Sequence, residues 1–269
     1  MLTSLVLQLQ SPGRAVLPAS LGRAGQALLL RLINERNPTL AEALHQDNQR
    51  KPYTVSNLLL GKRQQGSLHI EAGQAGWLRF TGLTAEVSEQ LIELAEAPPE
   101  MVELDGHDLT VTGATLAPSE NGWAGQISYQ DLAAPFLLGG QEKPNRRIGL
   151  EFASPTTFRS KGHNMPLPLP ELVFGSVLDR WQPFSPVALH PDVRRVAAEA
   201  VVLSRHRLRT RGMPHKEGMV QIGFTGQAIF SALSRDQYWL NVLQLLAAFA
   251  FYSGVGYLTA AGFGQVRRI

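Results

Sequence analysis

What most constrains the fold is the alternation of two apolar periods along the chain. Leu5, Leu7 and Leu9 alternate with Val6, Gln8 and Gln10, the period of a strand over residues 2–10. Residues 22–34 turn helical, with Ala27, Leu28, Leu30, Arg31 and Leu32 dense in helix formers. A second short helix over 40–45 begins just after Pro38, and Lys51-Pro52 breaks it. Residues 53–59 are β-prone, and short strands follow at 68–70 and 77–80. Residues 85–96 return to helical spacing through Val87, Leu91, Ile92, Leu94 and Ala95, until Pro98-Pro99 stops them. Strands at 101–104 and 109–116 complete a β-α-β-β-α-β order, that of a ferredoxin-like unit.

Residues 118–123 read as a turn or linker, after which a looser second pass begins. Strands are expected at 125–129 and 147–153. A helix follows over 168–181, with Leu169, Leu172, Val173, Val177, Leu178 and Trp181 on one face. Strands at 200–208 and 219–225, a long helix over 236–253 and a closing strand at 266–269 finish the chain. The expected fold is α+β: tandem ferredoxin-like (RRM-like) domains, each with an antiparallel sheet. The N-terminal domain spans 1–120 and the C-terminal domain 121–269.

The chain has no cysteine, which excludes disulfides, thiolate metal sites and a cysteine nucleophile. Its seven histidines form no HxxxH or HExxH pair, so no zinc site and no cofactor are expected, while carboxylate-built Mg²⁺ sites stay open. The N-terminus lacks the basic start of a signal peptide. The apolar stretch 240–252 is too short for a bilayer and contains Gln244, so a cytoplasmic protein with no membrane partner is expected. Charge is uneven: residues 1–134 carry nine Lys/Arg against fourteen Asp/Glu, and residues 135–269 sixteen against eight. That asymmetry fits a polyanion-binding second half, or a mere imbalance between domains.

The densest basic run is Arg205-His206-Arg207-Leu208-Arg209-Thr210-Arg211, continuing to His215-Lys216. On a strand, Arg205, Arg207, Arg209 and Arg211 project from one face, suited to a sugar-phosphate backbone or to a charged edge that resists aggregation. Arg159, Lys161 and His163 form a second cluster between a strand and a helix, and Arg146-Arg147 and Arg267-Arg268 add to the same half. No aromatic ladder interleaves these runs, so backbone and shape readout of a nucleic acid fits better than base stacking. Near the C-terminus stand Gly254, Gly256, Gly262 and Gly264. Glycines of this density permit positive φ and can expose N–H groups to an anion. A dinucleotide-binding motif is excluded, because it would follow a strand and open a helix, the reverse of the order here.

Two Gly-x-Gly pairs five residues apart, after a long helix, resemble the signature of the repeat-associated RNA-binding superfamily of CRISPR systems. Lys51-Pro52-Tyr53-Thr54-Val55-Ser56-Asn57-Leu58-Leu59 resembles a segment of its repeat-processing endoribonucleases. The runs Pro155-Thr156-Thr157-Phe158-Arg159 and Leu167 through Trp181 resemble their second domain. The resemblance implies a metal-independent endoribonuclease. It would cut CRISPR repeat RNA in the precursor transcript by 2′-OH attack, leaving 2′,3′-cyclic phosphate and 5′-OH ends. It places the catalytic histidine at His45, a residue that otherwise reads as a surface histidine closing a helix. Lys51, or Arg50, would stabilise phosphate charge. Several relatives add a tyrosine or serine on the first long helix; this chain has no tyrosine there, and either Arg31 or Asn34 would substitute or His45 would act with a basic partner alone. The basic clusters and the four glycines would hold RNA. The competing readings are a non-catalytic RNA-binding subunit of a CRISPR effector complex, with other subunits as partners, and a phosphometabolite enzyme on the same scaffold. A homodimer is common among such proteins.

Overall fold

A computed structural model of the chain describes residues 1–46, 50–64, 66–139, 145–216 and 219–269, and side chains at 214–219 fall outside that description. By contact the chain divides into two units. One is Met1–Gln126 with Met213–Gln221 and Ala260–Gly262; the other is Ile127–Gly212 with Ile222–Thr259 and Phe263–Ile269.

The first unit contains β1 (Leu2–Gln10), β2 (Ala15–Pro18), α1 (Gly22–Arg36), α2 (Pro38–His45), β3 (Tyr53–Val55), β4 (Lys62–Gln64), β5 (Ser67–Ile70), β6 (Ala75–Gly82), α3 (Ala85–Glu96), β7 (Met101–Leu104), β8 (His107–Thr115) and β9 (Gly125–Ile127). Its main sheet runs β3-β6-β1-β8-β7, with β9 alongside β1. Setting β7 aside, the order is second, third, first and fourth strand of a βαββαβ unit, the ferredoxin arrangement. Leu5, Leu7 and Leu9 share one core with Leu28, Leu29, Leu32 and Ile33 of α1 and with Val87, Leu91 and Leu94 of α3. Burying each such side chain is worth about 1.5–3 kcal/mol, which fixes the register of β1 against both helices. The opposite face of β1 is also closed: the Arg79 Nε donates to Ser4 Oγ at 2.7 Å and to the Trp123 carbonyl at 3.0 Å. A small β2-β5-β4 sheet lies outside the main one and was only partly expected from sequence.

The remaining elements, most of whose residues belong to the second unit, are α4 (Tyr129–Leu137), β10 (Arg147–Thr156), β11 (Phe158–Ser160), β12 (His163–Met165), α5 (Pro170–Phe184), α6 (Val193–Ala200), β13 (Val201–Lys216), β14 (Met219–Ala232), α7 (Gln237–Ser253) and β15 (Val266–Arg268). The sheet order β13-β14-β10-β15 again reads second, third, first, fourth. Both units thus carry the tandem ferredoxin-like α+β fold. Two helices depart from expectation. The strand foreseen at 125–129 stops at Ile127, because Ser128 caps α4 by accepting the Asp131 N–H at 2.9 Å. α6 is a short helix buried through Val193, Val196 and Ala197. α7 is apolar nearly all round, and its buried Gln244 is satisfied by the carbonyls of Asn145 and Arg147 and by Arg268. Among the described residues, no helix is long and apolar enough to cross a membrane.

Candidate functional site

Asn37 is the joint from which the candidate catalytic cleft is built. It ends α1 and opens α2, its side chain accepting the Leu40 N–H at 3.0 Å, and Pro38 fills the first turn, where no amide donor is needed. Arg31 and Asn34 stand three residues apart on α1, and Glu42 and His45 three apart on α2, so each pair shares a helix face. The two faces meet. His45, exposed at the last turn of α2, lines an open cleft of about 610 Å³ with Leu30, Arg31, Asn34, Ala41, Glu42 and Gln46. Arg31 and Asn34, the foreseen substitutes for a helix tyrosine, both face it. Glu42 was not foreseen, although its i,i+3 spacing to His45 was readable.

Lys51 is engaged by the backbone around His45. Its Nζ donates to the carbonyls of Leu44 and Gln46, both at 2.7 Å, on either side of His45. Carbonyls of a final helical turn have no intrahelical partner, and a lysine there satisfies them and complements the helix dipole. Lys51 is not among the side chains lining the cleft. Of the polar run 46–51, residues 47–49 lie outside the described residues. Arg31 reaches the other way along the surface, with Nη1 3.7 Å from Glu103 Oε2 and Nη2 donating to the Glu103 carbonyl at 3.3 Å.

The basic residues of the second unit separate into exposed and engaged. Arg205, Arg207, Arg209 and Arg211 are all exposed on β13, and none forms an ion pair among the described residues. The side chains of His215 and Lys216 lie outside the description. β11 and β12 form a hairpin whose two-residue turn, Lys161 at φ 50° and Gly162 at φ 80°, is of the type that matches strand twist. Arg159, Lys161 and His163 are exposed on it, but Arg159 pairs with Asn164 and His163 with Ser160, so the two stand on opposite faces. Arg159 lies over the ring of Tyr257, 5.1 Å from its centroid. Arg146 is spent on the carbonyls of Ala232 and Leu233, Arg267 on Glu151 at 2.6 Å, and Arg268 on Gln244. Partial burial lowers the pKa of Arg268.

The glycine-rich loop is closely packed within the protein. Gly254, Gly256, Gly262 and Gly264 all have positive φ, between 64° and 89°. Their amides are already taken within the protein: Gly254 donates to Ala250, Gly256 to Ser176 Oγ, Gly262 to Val55 and Gly264 to Pro155, at 2.9–3.1 Å. The glycines are demanded by close packing instead. A Cβ on Gly264 would run into the Val255 carbonyl, one on Gly256 into that of Thr157, and one on Gly262 would come 2.7 Å from Asn57 Nδ2. Asn57 in turn donates to the Gly262 carbonyl and accepts the Leu21 N–H, both at 3.0 Å, at the start of α1.

Comparison with known families bears on both halves of the chain. The model for the Cas6 N-terminal domain matches residues 1–134, and the model described as CRISPR-associated endoribonuclease Cas6 matches residues 150–266. The chain belongs to the Cas6 family of CRISPR-associated endoribonucleases. A CRISPR-associated endoribonuclease Cas6 of Mycobacterium tuberculosis (strain CDC 1551 / Oshkosh) is 28% identical over 123 residues, 45% of this chain and 38% of that protein; the match thus spans well under half of that relative. Solved Cas6 structures align over the full chain. The product complex of Cas6 (TTHA0078) has a TM-score of 0.77 at 29% identity, covering 100% of this chain and 99% of that one. The product complex of Cas6 (TTHB231), from Thermus thermophilus, has 0.81 at 26%, with both chains covered completely. A RAMP protein binding different RNA substrates, 13% identical with a TM-score of 0.61, shows the fold alone over 99% of each chain.

Proposed function

We propose that this Cas6 chain cuts CRISPR repeat RNA in its precursor transcript without a metal, with His45 as the proton-transferring residue. The observation that carries the reading is the exposed His45 lining an open cleft beside Arg31, Asn34 and Glu42, at the end of α2 and just before the Lys51–Leu59 segment that resembles the family's. In this reaction the ribose 2′-oxygen bonds to the adjacent phosphorus while the P–O5′ bond breaks. The 2′-hydroxyl gives up its proton and the departing 5′-oxygen gains one, so no water is consumed and the ends are a 2′,3′-cyclic phosphate and a 5′-hydroxyl. An imidazole can serve either proton step near neutral pH. Similar Cas6 structures described as product and substrate-mimic complexes, and one described as a histidine-to-alanine mutant, support the reading. The RNA is held by the exposed arginines Arg205, Arg207, Arg209 and Arg211 and by the hairpin bearing Arg159, Lys161 and His163, through phosphate contacts more than base stacking.

The test is cleavage of repeat RNA in EDTA with both product ends mapped. Cleavage that persists, with cyclic phosphate ends, is expected. His45→Ala is expected to reduce it by about 10²-fold or more while RNA binding is kept, in line with the loss of a positioned acid or base. A wild-type protein that binds the RNA and never cuts it would instead assign the non-catalytic subunit role.

A further inference from the structure

We infer that Arg31 neutralises the reacting phosphate in the His45 cleft and that Glu103 holds Arg31 aside between substrates; this rests on the cleavage reading above. Arg31 stands on a ridge. On one side it lines the cleft with His45, and on the other it lines a second groove together with the carboxylates of Glu35, Glu103 and Asp108. Its guanidinium reaches into the acidic groove, but the contacts are long, 3.7 Å to the Glu103 carboxylate and 3.3 Å to its carbonyl. Both side chains are about half exposed, at 47% and 48%. Such a pair is weak and yields easily to a stronger anion.

Glu103 has a second partner in its own turn. Its Oε1 accepts the Gly106 N–H at 2.8 Å in the β7–β8 turn, where Asp105 and Gly106 take φ of 52° and 76°. The carboxylate is therefore anchored by its own turn, and the long arginine side chain is the member free to swing. A phosphate diester is repelled from the groove of three carboxylates and admitted on the His45 side. There a guanidinium offers a planar fork to two phosphate oxygens, a stronger bond than the exposed ion pair it leaves. Negative charge grows on the non-bridging oxygens as the 2′-oxygen bonds to phosphorus. Arg31 donates N–H bonds to that charge and transfers no proton, a guanidinium being a donor only. Lys51, one of the two cations expected from sequence, has its ammonium committed to Leu44 and Gln46. Glu103 is in this scheme a positioning residue, acting only through Arg31.

The measurement is single-turnover cleavage of repeat RNA at saturating protein, paired with binding of the same RNA blocked by a 2′-deoxy sugar at the scissile position. Arg31→Ala should slow cleavage about 100-fold or more, with binding of blocked RNA changed less than about threefold. Arg31→Lys should recover part of the rate. Replacing a non-bridging oxygen by sulfur should slow the wild type and have little further effect on Arg31→Ala, a coupling that a purely structural role would not produce. Glu103→Gln keeps an oxygen for Gly106 and should raise the cleavage rate at subsaturating protein about two- to fivefold, the scale of an exposed ion pair. That gain should vanish in the Arg31→Ala background. An Arg31→Ala protein that cuts at the wild-type rate overturns the inference alone. So does a Glu103→Gln effect that persists without Arg31. A wild-type protein that does not cut overturns the cleavage reading and this inference with it.

Discussion

Lys51 grips the chain on both sides of His45, a contact that suits a lysine closing a helix end. Its two 2.7 Å bonds to the Leu44 and Gln46 carbonyls close the last turn of α2 and hold the backbone from which the imidazole projects. Lys51→Met keeps the aliphatic stem and removes the donors. It should lower stability by about 1–2 kcal/mol, read as a shifted denaturant midpoint. It should also slow single-turnover cleavage while the salt dependence of RNA binding stays put. A binding slope shallower by about one phosphate contact would return Lys51 to the RNA. At this scale the sequence was informative about types and poor about partners. The Lys51–Leu59 segment singled out His45 as a candidate, and its place in a cleft beside Glu42 comes from the structure. The pairing of the Arg31–Asn34 face with the Glu42–His45 face was not legible, since it depends on how the chain turns at Asn37.

Among the elements, the glycine-rich loop shows how one residue pattern serves two physical ends. Glycine at positive φ suits an open anion-binding concavity, and it suits equally a loop so tightly folded that no Cβ fits. Sequence alone does not separate these, because the difference lies in where the amides point. Here Val255 and Gly264 clasp each other, the Val255 N–H donating to the Gly264 carbonyl at 2.9 Å, and a Cβ on Gly264 would strike the Val255 carbonyl. Gly264→Ala combines that clash with a left-handed backbone. It should cost about 2 kcal/mol or more and lower the melting temperature, with no change in the salt slope of RNA binding by the protein that remains folded. Loss of RNA affinity at unchanged stability would restore the anion-loop reading. The helices α4 and α6 were illegible for a related reason. Each is short, and α4 carries Pro135 inside it, so its helical period is weak and the Ser128 cap decides it.

Across the whole molecule, the repeated βαββαβ order was readable because long apolar stripes on α1, α3, α5 and α7 must each cover a sheet face, whatever the local loops do. The charge asymmetry was readable as well, but its meaning was not. Several of the basic residues of the second half are engaged internally. Arg146, Arg267 and Arg268 satisfy carbonyls, Glu151 and Gln244, and Arg194 and Arg195 pair with Asp179, Asp192 and Glu199. The exposed arginines of β13, with Arg159 and Lys161 of the β11–β12 hairpin, are among those the asymmetry leaves for a polyanion. If they meet RNA phosphates, each contact releases counterions, and the slope of log affinity against log salt falls by about 0.7 per contact on a single strand. Replacing Arg205, Arg207, Arg209 and Arg211 together by alanine should therefore flatten the slope by up to roughly 3, and it should weaken binding to all RNA sequences alike. An edge-guarding role predicts another result. The slope would hold, and the variant would associate through its uncovered strand, visible as concentration-dependent growth in scattering. The two outcomes separate cleanly because RNA affinity and self-association are measured on the same preparation.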